Sequence, residues 1–266
     1  MKKFAVFGDP ISHSISPRLH NLAIKELNLD AFYGRVCLKD GSLLKETFLN
    51  LGLNGANITI PYKQIAFQIC DEIDPYAEKI GSLNTIVKNK DKLFGYNTDA
   101  PGFLKAINEF KDIKSVLVIG AGGTAKALAN ALSNLDLEIV NRSDRYLDFK
   151  EFNFFTYKNF KPKKFDLVIN STSAGLKDAT LPLPEEILKD CFSKYAFDVI
   201  YGRKTPFLNL ASKLNLKHKD GLDMLIYQAV LALNLFFNNK LDEKKIELYM
   251  RKAANLNYLF KFASQN

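Results

Sequence analysis

Residues 116–129 read VLVIGAGGTAKALA. The first four residues are apolar and three of them are β-branched, the composition of a strand buried on both faces. The run breaks at Gly120, Ala121, Gly122 and Gly123, and a helical spacing of small and apolar residues follows from Thr124 and Ala125. Glycines let the backbone turn sharply and pass close to a ligand. The helix that follows offers unpaired N–H groups and the positive end of its dipole. Strand, glycine turn and helix in this order make the G-x-G-x-x-G fingerprint of a dinucleotide-binding fold, with Ala125 as the small residue in the third position. A glycine-rich turn that only packs a helix on a sheet is the plainer alternative.

On both sides of this motif, strands and helices alternate. Before it come the strand patterns KFAVFG, AFYGRVCL and GANITI, with helical spacing in SPRLHNLAIKELNL and GSLLKETFLNL. LNTIVKN and KLFGYN, joined by the polar NKDK, read as a hairpin. DAPGFLKAINEF reads as a connecting helix. After the motif, LEIV, DLVINST and YAFDVIY are strands and PEEILKDCF a helix; beyond KHKDGLDML the chain turns helical. Alternation in both halves predicts two α/β domains, each with a mostly parallel sheet.

Composition narrows the function. The chain has 266 residues, 47% apolar and 25% charged, which suits a soluble globular protein with a proper core. Its net charge of +8 fits an anionic small molecule, nucleic acid or simply a lysine-rich surface. The one tight basic run, KPKK at 161–164, falls in a loop and carries a proline, so no nucleic-acid contact is expected. Three scattered cysteines without a CxxC predict a reducing compartment and no disulfide framework. No His/Cys cluster has metal spacing, so no metal is expected. The start, MKKFAVFGDP, lacks the long apolar region of an export signal, and MLIYQAVLALNLFF is too short to span a bilayer. A cytoplasmic protein is expected.

Several polar residues stand where strands or helices change over. Ser16 before Pro17 reads as the N-cap of a helix; with Ser14 it caps that helix or holds a carboxylate. Lys63 follows Pro61 at the exit of GANITI, the end of a strand where α/β folds place ligands. Asn84 lies in GSLNT, and Asp99 ends GYNTD just where the first block closes. Periodicity does not bring these groups together, and a solvated Lys/Asp pair is the plain alternative. Past the strand LEIV come Asn141, Arg142 and Ser143, then Asp144. Arginine there suits the extra phosphate of NADP, whereas an acidic residue suits NAD.

In order along the chain, SHSISP, GANITIPYK, GSLNT, NTD, GAGGTAKA, NRS, NSTSAG, DVIY, TPF and GLDML resemble the shikimate dehydrogenase family, from Gly8 to Gln228. The resemblance implies an α/β protein of two domains with a cleft between them. An N-terminal α/β substrate domain would comprise residues 1–99 plus 221–266, and a Rossmann-type NADP-binding domain residues 100–220. It implies reversible NADPH-dependent reduction of 3-dehydroshikimate to shikimate in aromatic amino acid biosynthesis. Lys63 and Asp99 match the catalytic pair. Ser14 and Ser16 would take the substrate carboxylate; Lys63, Asn84, Asp99 and Gln228 would hold the ring hydroxyls, with Thr59 and Tyr201 close by. The cofactor NADP would be held by Gly120, Ala121, Gly122, Gly123, Thr124, Ala125, Asn141, Arg142, Ser143, Arg145, Thr172, Gly221 and Met224. The partner would be the small-molecule substrate, with no nucleic acid and no membrane, in a monomer or homodimer.

Three departures stand out. Ser82 occupies a position where the family usually has alanine; Arg145 lies one residue nearer Arg142 than usual; and the stretch from Asp198 to Thr205 is one residue short. The nearest rival is a broad-specificity quinate/shikimate dehydrogenase using NAD or NADP, and a non-catalytic dinucleotide sensor is the rival of another class.

Overall fold

A computed structural model describes residues 1–263; residues 264–266, the end of the C-terminal segment assigned above to the substrate domain, lie outside the described residues. The chain forms two compact units, one of residues 1–102 with the chain from Ile226 onward, the other Phe103–Leu225.

The first unit contains β1 (Lys2–Gly8), α1 (Ser16–Glu26), β2 (Ala31–Cys37), α2 (Leu44–Asn50), β3 (Gly55–Ile58), α3 (Lys63–Ile69), β4 (Glu72–Ile73), α4 (Pro75–Ile80), β5 (Thr85–Asn89) and β6 (Lys92–Tyr96). The chain leaves it within α5 (Asp99–Ala106). The second unit follows with β7 (Ser115–Ile119), α6 (Gly123–Ala131), β8 (Asp136–Asn141), β9 (Asn153–Thr156), β10 (Phe165–Asn170), α7 (Glu185–Cys191), β11 (Phe192–Asp198), α8 (Pro206–Lys213) and β12 (Lys217–Lys219). The chain returns to the first unit within α9 (Leu222–Phe236) and ends in α10 (Glu243–Ala263).

The second unit's sheet runs β12-β11-β10-β7-β8-β9 and every pair is parallel. Counted from β7, this is the doubly wound order 3-2-1-4-5-6 of a Rossmann fold, with its switch point between β7 and β10. β7 is buried because helices and neighbouring strands cover both of its faces: Val116, Leu117, Val118 and Ile119 are all fully buried.

The first unit's sheet runs β2-β1-β3-β5-β6-β4. β1 is parallel to both β2 and β3, but β5 is antiparallel to β3 and β6 antiparallel to β5. β4 pairs parallel with β6, so the sheet is mixed but still mostly parallel: β5 alone runs against the other strands, because the hairpin read in the sequence inserts next to β3. This has a direct consequence. The C-terminal ends of β1, β3 and β6 and the N-terminal start of β5 share one edge of the sheet, as the pairs Phe7↔Ile58, Asn57↔Thr85 and Thr85↔Tyr96 require.

Beneath that edge, α1 packs His20 flat on Tyr33, ring centroids 4.0 Å apart, with Phe236 of α9 tilted against it at 6.3 Å. His20 is fully buried and neither ring nitrogen has a protein hydrogen-bond partner. Burial disfavours the imidazolium and pushes its pKa down to about 3. The folded state then takes up the proton only well below the usual histidine range, while the unfolded chain takes it up near 6.5. Stability from this group is complete above about pH 6.5 and is lost as pH falls toward 3. Acid unfolding followed by circular dichroism should therefore start at lower pH in His20→Phe than in the wild type. Superimposable acid limbs would show that His20 does not titrate in this way.

Candidate active site

At the shared edge of the first sheet, Lys63 opens α3, Asn84 immediately precedes β5 and Asp99 opens α5. The structure brings the three together. Lys63 Nζ donates to Asp99 Oδ2 at 2.5 Å, and Asn84 Nδ2 donates to Asp99 Oδ1 at 2.9 Å. All three side chains are buried, so the plain alternative of a solvated surface pair is excluded. Asn84 Nδ2 also lies 3.4 Å from Gln228 Oε1 and 3.0 Å from Thr98 Oγ1, and the Thr98 backbone N–H donates to Asn84 Oδ1 at 2.8 Å. Gln228 gets this close because Gly102 of α5 has no Cβ; one added there would sit 2.8 Å from the Gln228 backbone nitrogen. Thr59, half-buried, directly follows β3.

Ser14 and Ser16 stand past the end of β1, and both are buried. Ser16 is not the N-cap. Ile15 takes that position in a helix-like conformation, and no side chain caps the helix. Ser16 is instead the first helical residue; its backbone N–H donates to Ser14 Oγ at 3.3 Å, and the Ser14 hydroxyl donates in turn to Ser16 Oγ at 3.2 Å. The Ser14 carbonyl accepts from Arg35 Nε and Nη2 at 3.0 and 2.6 Å. The two hydroxyls thus form a fixed pair at the positive end of an 11-residue helix, braced from behind by an arginine. Donors in this geometry suit a carboxylate.

In the second unit, Gly120 has φ +113°, and a Cβ on it would lie 2.7 Å from Ser171 Oγ across the switch point. Only glycine fits both the backbone angle and the contact. The space around Gly122 is open, and no side chain caps the helix it starts. Nearby in sequence order, Asn141 Nδ2 donates to the Ser143 carbonyl at 2.8 Å and to its hydroxyl at 3.2 Å, holding the turn that carries Arg142. Asn141, Arg142 and Thr172 line a cavity of about 430 Å³ with Tyr157, Asp178 and Thr180. Burial raises the Tyr157 phenol above its usual range, and the Arg142 charge opposes that rise. Among the described residues no carboxylate pairs with Arg142. Arg145 is drawn away instead, its Nε bound to Asp148 Oδ2 at 2.6 Å, and it does not line the cavity. Asp144 Oδ1 accepts from the Tyr146 N–H. Open space at the glycine turn, an uncapped helix and an unpaired arginine in a cavity fit a phosphorylated dinucleotide.

Tyr201 is half-buried beyond the end of β11, Met224 is buried in the first turn of α9, and Gly221 precedes that helix, donating its N–H to the Ile200 carbonyl. These positions share the second unit with the glycine turn. Asp198, the first residue of DVIY, is fully buried. It accepts from Asn170 Nδ2 (3.1 Å), the Ile200 N–H (3.0 Å) and Thr205 Oγ1 (2.6 Å). Asn170 Oδ1 in turn accepts from the Thr172 N–H and hydroxyl. One carboxylate therefore ties the loop after β11 to the loop that lines the cavity.

Sequence reasoning missed Thr85, Asn57, Tyr33 and Arg35 in the first unit, and Tyr157, Asp178 and Thr180 in the second. Asn57 carried a signal, a polar residue in the middle of the four-residue buried strand GANI. Tyr157 carried none. No group of three His, Cys, Asp or Glu among the described residues could hold a metal, and no helix there is long and apolar enough to cross a membrane.

A chain with a Rossmann sheet, a cavity suited to a dinucleotide and a buried lysine–carboxylate pair has the parts of a dinucleotide-dependent oxidoreductase. Comparison with known proteins makes the class specific. A family profile described as the shikimate dehydrogenase substrate binding domain matches residues 6–86. Shikimate dehydrogenase (NADP(+)) of Helicobacter hepaticus is 48% identical, covering 96% of this chain and 97% of the relative; that of Helicobacter pylori is 44% identical, covering 95% and 99%. The crystal structure of shikimate dehydrogenase 1 from Peptoclostridium difficile superposes with a TM-score of 0.86 at 29% identity, covering 95% of this chain and 97% of that one. Shikimate 5-dehydrogenase from Thermus thermophilus, crystallised with NADP(H) and shikimate, gives 0.80 at 34% identity, covering 95% and 100%. The chain belongs to the shikimate dehydrogenase family.

Asp198 gives the site a measurable electrostatic signature. Burial raises its pKa to about 6 against three hydrogen bonds that favour the charged form. Its contribution to stability is complete below the unfolded value of 3.8 and is lost as pH rises through about 6. The stability difference between wild type and Asp198→Asn should therefore change by about 3 kcal/mol from pH 4 to pH 7, from roughly two pKa units at 1.36 kcal/mol each. Denaturant unfolding at a series of pH values measures it; a pH-independent difference would place the Asp198 pKa in the ordinary range.

Proposed function

We propose that this chain catalyses the reversible NADPH-dependent reduction of 3-dehydroshikimate to shikimate. The observation that carries the reading is the buried Lys63–Asp99–Asn84 cluster, in a chain 48% identical to a shikimate dehydrogenase (NADP(+)). The first unit is the substrate-binding domain and the second the NADP-binding domain.

NADPH, when bound, supplies the hydride that reduces the ring carbonyl. The chain's own residues do the rest. Ser14 and Ser16 take the substrate carboxylate on their hydroxyls and the helix end. Asn84, Asp99 and Gln228 hold ring hydroxyls, with Thr59 and Tyr201 at the rim. Lys63 stands against the reacting oxygen and gives it a proton in reduction, or takes one in oxidation. Asp99 holds the Lys63 ammonium by one carboxylate oxygen while Asn84 holds the other. In the second unit the uncapped N-terminus of α6 receives the pyrophosphate, and Arg142 grips the phosphate on the adenosine ribose with a forked, charged contact. Gly221 and Met224 face the nicotinamide.

The direct test follows absorbance of the reduced nicotinamide. Shikimate with NADP should give turnover, and NAD or quinate should serve poorly. Equal rates with quinate and NAD would replace this reading by the broad-specificity one, and no turnover with shikimate would reject it. Lys63→Ala should lower kcat by about a hundredfold or more, with shikimate affinity little changed. Arg142→Ala should weaken NADP by about 1.5–3 kcal/mol, as for a hydrogen bond to a charged group, and leave NAD nearly unchanged. Retained NADP affinity in that variant, measured by fluorescence titration, would assign the cofactor choice to another group.

A further inference from the structure

Behind the Lys63–Asp99 pair, three buried side chains with no place in the mechanism above, Tyr33, Asn57 and Thr85, lead in a row to Asn84. Tyr33 Oη donates to Asn57 Oδ1 at 2.7 Å. Asn57 Nδ2 donates to Thr85 Oγ1 at 3.0 Å and toward the Asn84 carbonyl at 3.4 Å. Thr85 Oγ1 donates to Asn84 Oδ1 at 3.2 Å, and Asn84 Nδ2 donates to Asp99 Oδ1 at 2.9 Å. Tyr33, Asn57, Thr85 and Asn84 are all buried.

The direction of each bond follows from backbone groups that can play only one role. The Thr98 N–H can only donate, so the Asn84 atom it meets at 2.8 Å is the oxygen. The Asn84 carbonyl can only accept, so the Asn57 atom facing it is the nitrogen. That leaves Asn57 Oδ1 as an acceptor and makes Tyr33 the donor. Thr85, already accepting from Asn57, has its own proton to give to Asn84. Four hydrogen bonds thus run head to tail from Tyr33 to the Asp99 carboxylate. Dipoles so aligned reinforce one another in a low-dielectric interior. The amide that holds Asp99 cannot turn over without breaking its bonds to Thr85 and to the Thr98 backbone.

We infer that Tyr33, Asn57 and Thr85 are positioning residues for the reaction: through Asn84 they fix the Asp99 carboxylate and so the place of Lys63. This rests on the catalytic reading of Lys63 and Asp99 given above. Because they act on the proton-handling pair, their loss should lower kcat and leave KM for shikimate nearly unchanged. The hydroxyl of Thr85 is the link that can be removed at constant volume.

The experiment compares Thr85→Val with Thr85→Ser in steady-state turnover of shikimate with NADP, with melting temperatures measured alongside and Lys63→Ala as reference. Thr85→Val should lose about tenfold or more in kcat, the scale of a small misplacement of a catalytic group, with KM within about twofold; Thr85→Ser should restore most of the rate. Tyr33→Phe, which removes one hydroxyl at the far end, should lower kcat in the same sense and supplies the answer if Thr85→Val does not fold. Thr85→Val or Tyr33→Phe with wild-type kcat, while Lys63→Ala is inactive, would overturn the inference and leave the catalytic reading standing. A Thr85→Ser rate no better than that of Thr85→Val would also overturn it, since methyl packing rather than the hydroxyl would then matter. An active Lys63→Ala would remove both.

Discussion

The contact on which the first unit depends is the one between Lys63 and Asp99. An ammonium and a carboxylate, both buried, are expensive to desolvate, and neither can stand there alone. Their burial is tolerated because each is bonded further. Asp99 takes Lys63 on one oxygen and Asn84 on the other, and Asn84 is itself held by Thr85, Thr98 and Gln228. The start of α3, the start of β5, the start of α5 and Gln228 of α9 all contribute to that arrangement, so a fold that satisfies the pair also assembles the site. Replacing one partner would leave an unpaired charge or amide buried in the first unit.

The second unit rests on a different constraint, the close approach of backbone at the switch point between β7 and β10. Gly120 passes so near Ser171 that no side chain fits. Around this point the buried Asp198 collects three donors and, through Asn170 and Thr172, fixes the loop lining the Arg142 cavity. The two units solve the same problem. A ligand needs groups held rigid before it arrives, and in each case a buried carboxylate bonded from several directions supplies the rigidity. The units differ in charge balance: the carboxylate of the first faces a lysine, while that of the second faces only neutral donors and is pushed toward its protonated form.

The sequence by itself determined what is local. Apolar runs, glycine turns and the 3.6-residue spacing gave the alternation of strand and helix, and the VLVIGAGG run located the parallel sheet. Lys63, Asn84, Asp99 and Arg142 stood out because each is polar at the end of an apolar element. Register across a sheet is not local, and only the tertiary structure decided it. The hairpin β5–β6 inserts antiparallel beside β3, and this alone turns Asn84 and Asp99 toward Lys63. The N-cap assigned to Ser16 failed for a related reason, since Ile15 already adopts helical geometry and leaves the hydroxyl to Ser14. Arg145 is paired with Asp148, three residues on, a contact that the spacing of NRSDR does not announce. Tyr33, Asn57 and Thr85 come from three separate strands, and Tyr157 and Thr180 from separate segments around one cavity. Hydrogen bonds between residues 24 and 28 positions apart leave no periodic trace in the chain, so the row of dipoles behind Asp99 exists only once the strands are laid side by side.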